Sequence, residues 1–397
     1  MDFNLSEEDK AIQSNIRRFG DEVLRARERE IDEKGIIPQE VIHEMGRLGI
    51  LAMPVSEQYG GMGATAVQTE LVAEEIGRGE MSMATAVFFL LEAGWGFCLS
   101  RHGTEEAKKE VLPPVCRGDH FLGIASTEPG GGSDIAGMTT QSWREGDEYV
   151  IRGEKSFLSG VTEAKEHGGG HLTVTKNRDG KGFNLIYVPT QTKGVEVQRF
   201  KNMGRMGIST GSLSYDDVRV PAKYLVGKEG GGFGPLMEGF SVARVFVAGA
   251  CVGAAERALD IGREYVKVRT TFGQPLGKYE GIQFELADQW VMNDMVKWEV
   301  RRAAWTLDQT VFPHPGQHYS EVDLPVAAAK LMAPMAAFDT FKKVMMWHGA
   351  SGYTKDVGLE IGLRGVMSYM VGAEGGLNIM RIIIGRELLG KEFIPYK

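Results

Sequence analysis

The chain reads as an α+β protein built from three consecutive parts, and three observations carry that reading. Residues 1–120 place apolar side chains at three- and four-residue steps, and residues 121–230 break into short alternating runs separated by Gly, Asn and Asp. Residues 231–397 return to long helical periods at about 233–268, 281–311, 321–347 and 374–390, enough for a four-helix bundle.

In the first part, Ile12, Ile16, Phe19 and Val23 form one apolar stripe, and Val41, Met45 and Leu48 another. The opening Met1–Glu8 has no basic segment followed by an apolar one, so it reads as a helix cap and not as a secretory signal. Met81–Phe97 is the most apolar run. Glu92 interrupts it, and it is shorter than the roughly 20 residues that span a bilayer, so no membrane anchor is expected. In the second part, Tyr149–Lys155 and Leu185–Pro189 alternate as strands do, while His167-Gly168-Gly169-Gly170-His171 reads as a mobile loop. The turn-rich Gly227–Gly232 closes this part, and no internal repeat or low-complexity tract is present.

With 43% hydrophobic and 25% charged residues in 397, the composition is that of a soluble globular chain. A net charge of -8, with 45 Lys and Arg dispersed among 53 Asp and Glu, argues against a nucleic-acid surface. Cys98, Cys116 and Cys251 lie far apart without a CxxC pair, so neither a disulfide framework nor a zinc site is indicated, and a cytoplasmic location is expected.

The stretch Ala373-Glu374-Gly375-Gly376-Leu377-Asn378 puts a carboxylate on a glycine-rich elbow before a helix, where backbone N–H groups are free to meet a ligand. A base held beside an oxyanion donor suits removal of a proton next to a thioester carbonyl, a very weak acid whose ionisation builds charge on the carbonyl oxygen. Taken alone, Glu374 equally fits a solvated glutamate at a helix start. Two other patterns lead elsewhere. Gly207-Ile208-Ser209-Thr210-Gly211 has the G-x-S-x-G spacing of an esterase, but Ser212–Val220 alternates like a strand where the esterase elbow requires a helix. The dinucleotide fingerprint G-x-G-x-x-G is absent, so a nicotinamide-binding domain has no support.

Five signatures in order carry a family resemblance: Tyr59-Gly60-Gly61-Met62-Gly63, Thr127–Asp134, Tyr215–Pro221, Arg269–Gly273 and Glu374–Arg381. Together they make the chain resemble the acyl-CoA dehydrogenases over nearly its whole length. That resemblance implies a helical N-terminal domain, a β-barrel-like middle domain and a C-terminal four-helix bundle, with FAD as cofactor. It further implies an acyl-CoA substrate, a homotetramer, and reoxidation by an electron-transferring flavoprotein.

Residue by residue, the resemblance makes Glu374 the base. Ala243 stands where some relatives carry the base, and it cannot accept a proton. Ile124, Ser126 and Thr127 match the stretch that bonds the flavin pyrimidine edge. Phe157 and Ser159 stand where the family usually has tryptophan and threonine; a ring still covers one flavin face and a hydroxyl still donates. Arg269, Thr271 and Phe272 are similar to a cross-subunit clasp on the FAD pyrophosphate, where a guanidinium matches phosphate geometry. Glu280, Met346, Gly349, Ala350, Gly376 and Asn378 fall at further cofactor-binding positions, with Glu280 and Met346 replacing glutamines. Ser133, Ser241, Arg244 and Gly375 fall at substrate-binding positions, Ser133 also lying toward the flavin.

Glu92 is a lone carboxylate in an apolar segment expected to line the acyl pocket. It is a candidate second acid or base, as in relatives that oxidise alicyclic ring thioesters, although a paired or solvated glutamate is the ordinary reading. No Lys or Arg occurs between Met81 and Ser100, which argues against a second substrate carboxylate and favours a short, branched or alicyclic acyl group such as a cyclohexane ring. An oxidase or monooxygenase on the same scaffold and a non-catalytic CoA-binding protein stay open as alternatives.

Overall fold

A computed structural model of the chain describes residues 4–314, 320–393 and 395, so Met1–Phe3 of the expected N-terminal cap lie outside the described residues. Helix α1 (Glu7–Phe19) starts at Ser6, whose hydroxyl accepts from Asp9 N at 3.1 Å, and its first turn carries Glu7, Glu8 and Asp9 against the helix dipole. It continues through a π-helical turn, Gly20–Leu24, into α2 (Arg25–Lys34), followed by α3 (Gln39–Arg47), α4 (Ala66–Gly79), α5 (Ala84–His102) and α6 (Glu105–Arg117). Every residue of α5 from Ala84 to Leu99 is buried, which is why its sequence is apolar all round and lacks a polar face.

Strands β1 (Phe121–Ala125), β2 (Gln141–Glu145) and β3 (Glu148–Ser159) lead into a short helix, α7 (Val161–His167). Strands β4 (Gly169–Asn177), β5 (Phe183–Pro189), β6 (Val195–Arg199), β7 (Thr210–Pro221) and β8 (Leu225–Val226) complete the sheet. It runs β6-β7-β3-β2-β4-β5-β8, with β1 branching off β4 in parallel. The expected loop at His167–His171 is instead the entry of β4 between β1 and β5. The physical reason is steric: a methyl on Gly169 would lie 2.0 Å from Phe121 O and one on Gly170 2.1 Å from Val188 O, so glycine lets three strands close up and bury His171 completely. Ser209 precedes strand β7 and bonds Glu163, so no nucleophile elbow forms there.

Helices α8 (Phe233–Val268), α9 (Glu280–Gln309), α10 (Ser320–His348), α11 (Leu359–Val371) and α12 (Leu377–Leu389) complete the chain, with a hairpin of β9 (Thr270–Thr271) and β10 (Gln274–Pro275) after α8. Helix α11 was not expected, because Gly362 and Gly365 depress its helical signal. Tertiary packing overrides that cost: methyls there would lie 2.2 Å from the Phe341 ring and 2.4 Å from Ser82 O, so the glycines are needed for α11 to sit down. Helix α8 is long and apolar enough to cross a membrane by length and composition, yet 78% of its most apolar window is buried in the fold. It packs against α4 nearly backbone to backbone, since methyls on Gly77 and Gly253 would meet Ala250 O at 2.1 Å and Glu74 O at 1.7 Å.

That contact buries the carboxylates of α4. Glu70, Glu74 and Glu75 are almost wholly removed from solvent, where Glu70 and Glu74 meet Arg301, Glu74 also meets Lys297, and Glu75 meets Arg17. Unpaired, each would be prohibitively costly to bury.

Candidate active site

A cavity of about 610 Å³ opens where α5, the sheet, α8 and the turn between α11 and α12 converge. Ile124, Ser126, Thr127, Ser133, Phe157, Ser159, Arg244, Glu374, Gly375 and Gly376 all line it, so the fold gathers candidates separated by 250 residues of sequence (124 to 374). Glu92, Ser241, Arg269, Thr271, Phe272, Glu280, Met346, Gly349, Ala350 and Asn378 are not among its lining residues.

The elbow that carries Glu374 is a run of three left-handed residues, Ala373 (φ 42°), Glu374 (φ 57°) and Gly375 (φ 103°), between α11 and α12. Two non-glycine residues in that region store strain, which packing around the site must hold. Arg244 on α8 supplies part of the hold: its Nε donates to Glu374 O at 2.9 Å, and its guanidinium lies 5.5 Å from the Phe240 ring centre. Glu374 is only 8% exposed, and its Oε2 is buried without a hydrogen-bond partner. Burial pushes its carboxyl up to about 7, against the lowering pull of Arg244 and Lys330 and a smaller one from Trp95. The Trp95 indole N–H, although close enough to act on the carboxyl, makes no hydrogen bond of ordinary geometry. A carboxylate with a free oxygen, near neutrality in its affinity for protons, is equipped to accept one inside this cavity.

Opposite the elbow, a bulge in β3 aims Phe157 into the cavity. The register with β7 shifts between Lys155 and Leu158, Phe157 takes φ 60°, and its ring is 67% exposed although it sits at the end of a strand. The loop from β1 to β2 bears Ser126, Thr127 and Ser133, and β3 pins it: Ser156 N donates to Thr127 O at 2.8 Å and Lys155 Nζ to Ser126 O at 3.1 Å. Lys155 is fully buried and pairs with Glu128 at 2.9 Å. Burial of Glu128 opposes ionisation, but hydrogen bonds from Thr140 and Thr139 outweigh it and bring its carboxyl down to about 2.

Three arginines line the cavity: Arg244, Arg205 and Arg364. Arg364 pairs with Asp32 at 2.7 Å, whereas Arg205 donates to the hydroxyls of Ser159 (3.2 Å) and Thr210 (3.1 Å). Residues 81–100 hold no cation, but Arg205 arrives at the cavity from the segment before β7. Its left-handed φ of 55° is the unusual feature there, and no pattern in the sequence signals it. The absence of Lys and Arg in residues 81–100 therefore says nothing about charge in this cavity.

Glu92 corrects the sequence reading. Its side chain is completely buried behind the wall that Leu90 and Leu91 present, and its Oε1 accepts from Leu122 N at 3.0 Å. Burial holds its carboxyl well above the usual range, with the Leu122 amide opposing, and the bond to Leu122 ties α5 to β1. A helix presents successive residues about 100° apart, which is why Leu91 faces the cavity and Glu92 does not. Ser241 likewise turns back, donating to Met237 O on its own helix at 3.0 Å. Asn378 is exposed and accepts from Arg381 at 2.9 Å. Arg269, Thr271, Phe272, Glu280, Met346, Gly349 and Ala350 lie where the C-terminal ends of α8 and α10 meet the start of α9. Phe272 is 95% exposed and Met346 75% exposed there.

A flavin ring fits these donors and this shape. Ser126, Thr127 and Ser159, each with a hydroxyl, line the cavity, and Phe157, exposed and in edge contact with Phe200, offers it an aromatic ring.

Helical parts before and after a mixed sheet, with a buried carboxylate on a cavity lined by Phe157, Phe240 and Tyr369, have the layout of an enzyme that moves a proton beside a bound ring system. The chain belongs to the acyl-CoA dehydrogenase family. Residues 6–119, 123–218 and 230–389 match the acyl-CoA dehydrogenase N-terminal, middle and C-terminal domains. A probable acyl-CoA dehydrogenase, YngJ of Bacillus subtilis, is 33% identical over 98% of this chain and 100% of its own length. The cyclohex-1-ene-1-carbonyl-CoA dehydrogenase of Syntrophus aciditrophicus is 31% identical, over 97% of this chain and 91% of its own. Butyryl-CoA dehydrogenase from Megasphaera elsdenii superposes with a TM-score of 0.89 at 27% identity, over 98% of this chain and all of that one. FAD is the cofactor and an acyl-CoA the substrate.

Proposed function

We propose that the protein converts a short, branched or alicyclic acyl-CoA to its enoyl-CoA, with Glu374 removing the α-proton. The observation that carries this reading is the buried, unpartnered Oε2 of Glu374 in a cavity bordered by flavin-type donors. Bound FAD supplies the acceptor for the hydride that leaves the β-carbon. Ile124, Ser126 and Thr127 would hold its pyrimidine edge, the Ser159 hydroxyl would be a donor to the ring, and Phe157 would cover a face of it. The N–H of Glu374 faces the thioester oxygen, where an oriented backbone donor stabilises developing charge. Arg244 and Gly375 border the thioester, and Ser133 meets the CoA portion.

The acyl end is bounded by Val87, Leu90, Leu91 and Phe240, which suits an apolar group, and a ring-thioester relative at 31% identity supports the alicyclic option. Glu92 lends that option nothing from behind the wall. A homotetramer in the cytoplasm, reoxidised by an electron-transferring flavoprotein, completes the reading. In it Arg269, Thr271 and Phe272 reach the FAD of a second copy, which agrees with the exposure of Arg269 and Phe272 and with the absence of all three from the lining of their own chain's cavity.

The test is anaerobic bleaching of the flavin by butyryl-, isobutyryl-, cyclohexanecarboxyl- and glutaryl-CoA. Bleaching by one of the first three and slow reoxidation by air are expected. A colourless protein that FAD does not restore, or fast reaction with oxygen, overturns the assignment.

A further inference from the structure

Beneath the elbow lies a second charged group that the reaction as described does not use. Lys330, in the middle of α10, is fully buried, and its Nζ donates to Tyr369 O at 2.7 Å and to Gly375 O at 2.9 Å. These two carbonyls bracket the segment in which α11 ends and the chain turns through Ala373 and Glu374. Lysine is among the residues least often buried, and burying its ammonium costs several kcal/mol unless its donors are satisfied. Here both recorded bonds go to backbone of the strained turn and neither to a carboxylate.

The charged and titratable surroundings are few. From α8, Arg244 and the buried thiol of Cys251 face Lys330; from the elbow, Glu374 does. Glu374 in turn feels Arg244, Lys330 and Trp95, while Arg244 also feels Asp323 of α10. Tyr369 on α11 feels Cys251, Arg205, Glu80 and Glu374. Burial lowers the Lys330 ammonium to about 8, so near neutral pH it still carries its proton.

We propose that Lys330 is a positioning residue for the base: its ammonium ties together the two carbonyls that flank the elbow and sets a positive charge under Glu374. Both the aim of the carboxylate and its readiness to accept a proton then depend on it. The geometry explains how two non-glycine residues remain left-handed without a glycine at either position. Beside Arg244, the Lys330 charge opposes the burial that would otherwise keep the Glu374 carboxyl protonated. This inference rests on the reading of Glu374 as the base.

The experiment compares the holoenzyme with K330M, K330Q and K330R, following anaerobic flavin bleaching by the best thioester of the panel between about pH 5.5 and 9, with E374Q as control. In K330M the midpoint of the pH profile moves alkaline by about one unit, which makes bleaching at pH 6 about tenfold slower relative to its own plateau. K330Q keeps a donor without the charge and shows the same midpoint; it carries the test if K330M does not fold. K330R keeps the charge and restores the midpoint toward wild type. A purely structural lysine would lower the plateau or the FAD content and leave the midpoint in place, and that result in K330M or K330Q overturns the proposal. Should E374Q bleach like wild type, the base assignment itself falls. A dead E374Q with an unmoved midpoint in the Lys330 variants sinks only the present inference.

Discussion

Glu374→Gln separates chemistry from stability in one residue. Glutamine keeps the shape of the side chain and cannot take a proton, so the rate of flavin bleaching by substrate falls at least about a hundredfold, the lower bound of a positioned general base. The stability effect follows from the carboxyl, raised by burial from 4.5 to about 7. Below pH 4.5 the group is protonated in both the folded and the unfolded chain and contributes no difference. Between pH 4.5 and 7 the unfolded chain ionises while the folded one resists. By pH 8 the native state therefore carries a deficit of about 3 kcal/mol, from a shift of roughly 2.5 units at 1.36 kcal/mol each. A neutral glutamine removes that deficit.

E374Q is accordingly expected to melt several degrees above wild type at pH 8 and together with it at pH 4.5, both saturated with FAD and followed by flavin fluorescence. An active-site residue that costs stability at its working pH is the usual trade between function and fold. Bleaching at the wild-type rate refutes the base assignment. A melting difference of the same size at both pH values refutes the electrostatic account of the buried carboxyl.

Three further outcomes rest on the packing. Glu92→Leu leaves Leu122 N–H unsatisfied and lowers stability by about 1–3 kcal/mol in denaturant, while Glu92→Gln keeps an acceptor and stays within about 1 kcal/mol. Turnover of both is close to wild type, and a large loss in the glutamine variant would restore Glu92 as a chemical participant. Gly253→Ala drives a methyl to 1.7 Å from Glu74 O and costs about 3 kcal/mol or more, read as lost soluble yield. Phe284, Val291, Met295 and Trp305 run exposed along one face of α9, and Met295→Glu with Trp305→Glu is expected to split a homo-oligomer and release FAD. Light scattering and flavin absorbance read this result, and an unchanged mass places the subunit contact elsewhere.

Much of this protein was legible in its sequence because the relevant signals are local. Helical periods, the Ser6 cap, glycine turns and the ordered motifs from Thr127 to Glu374 report backbone geometry, which neighbouring residues largely determine. The three-part architecture and the acyl-CoA dehydrogenase family could be read from them. Direction and dielectric were not local. Which of Leu91 and Glu92 faces the cavity depends on the rotation of α5 against β1. That Arg205 joins Ser159, Lys155 props Ser126 and Lys330 lies beneath Glu374 depends on elements far apart in sequence. Only in the assembled fold do the carboxylates of α4 become buried partners of Arg17, Lys297 and Arg301 instead of a solvated helix face. A side chain's partners and its affinity for protons are set by what packs around it, and that packing exists only once the chain has closed on itself.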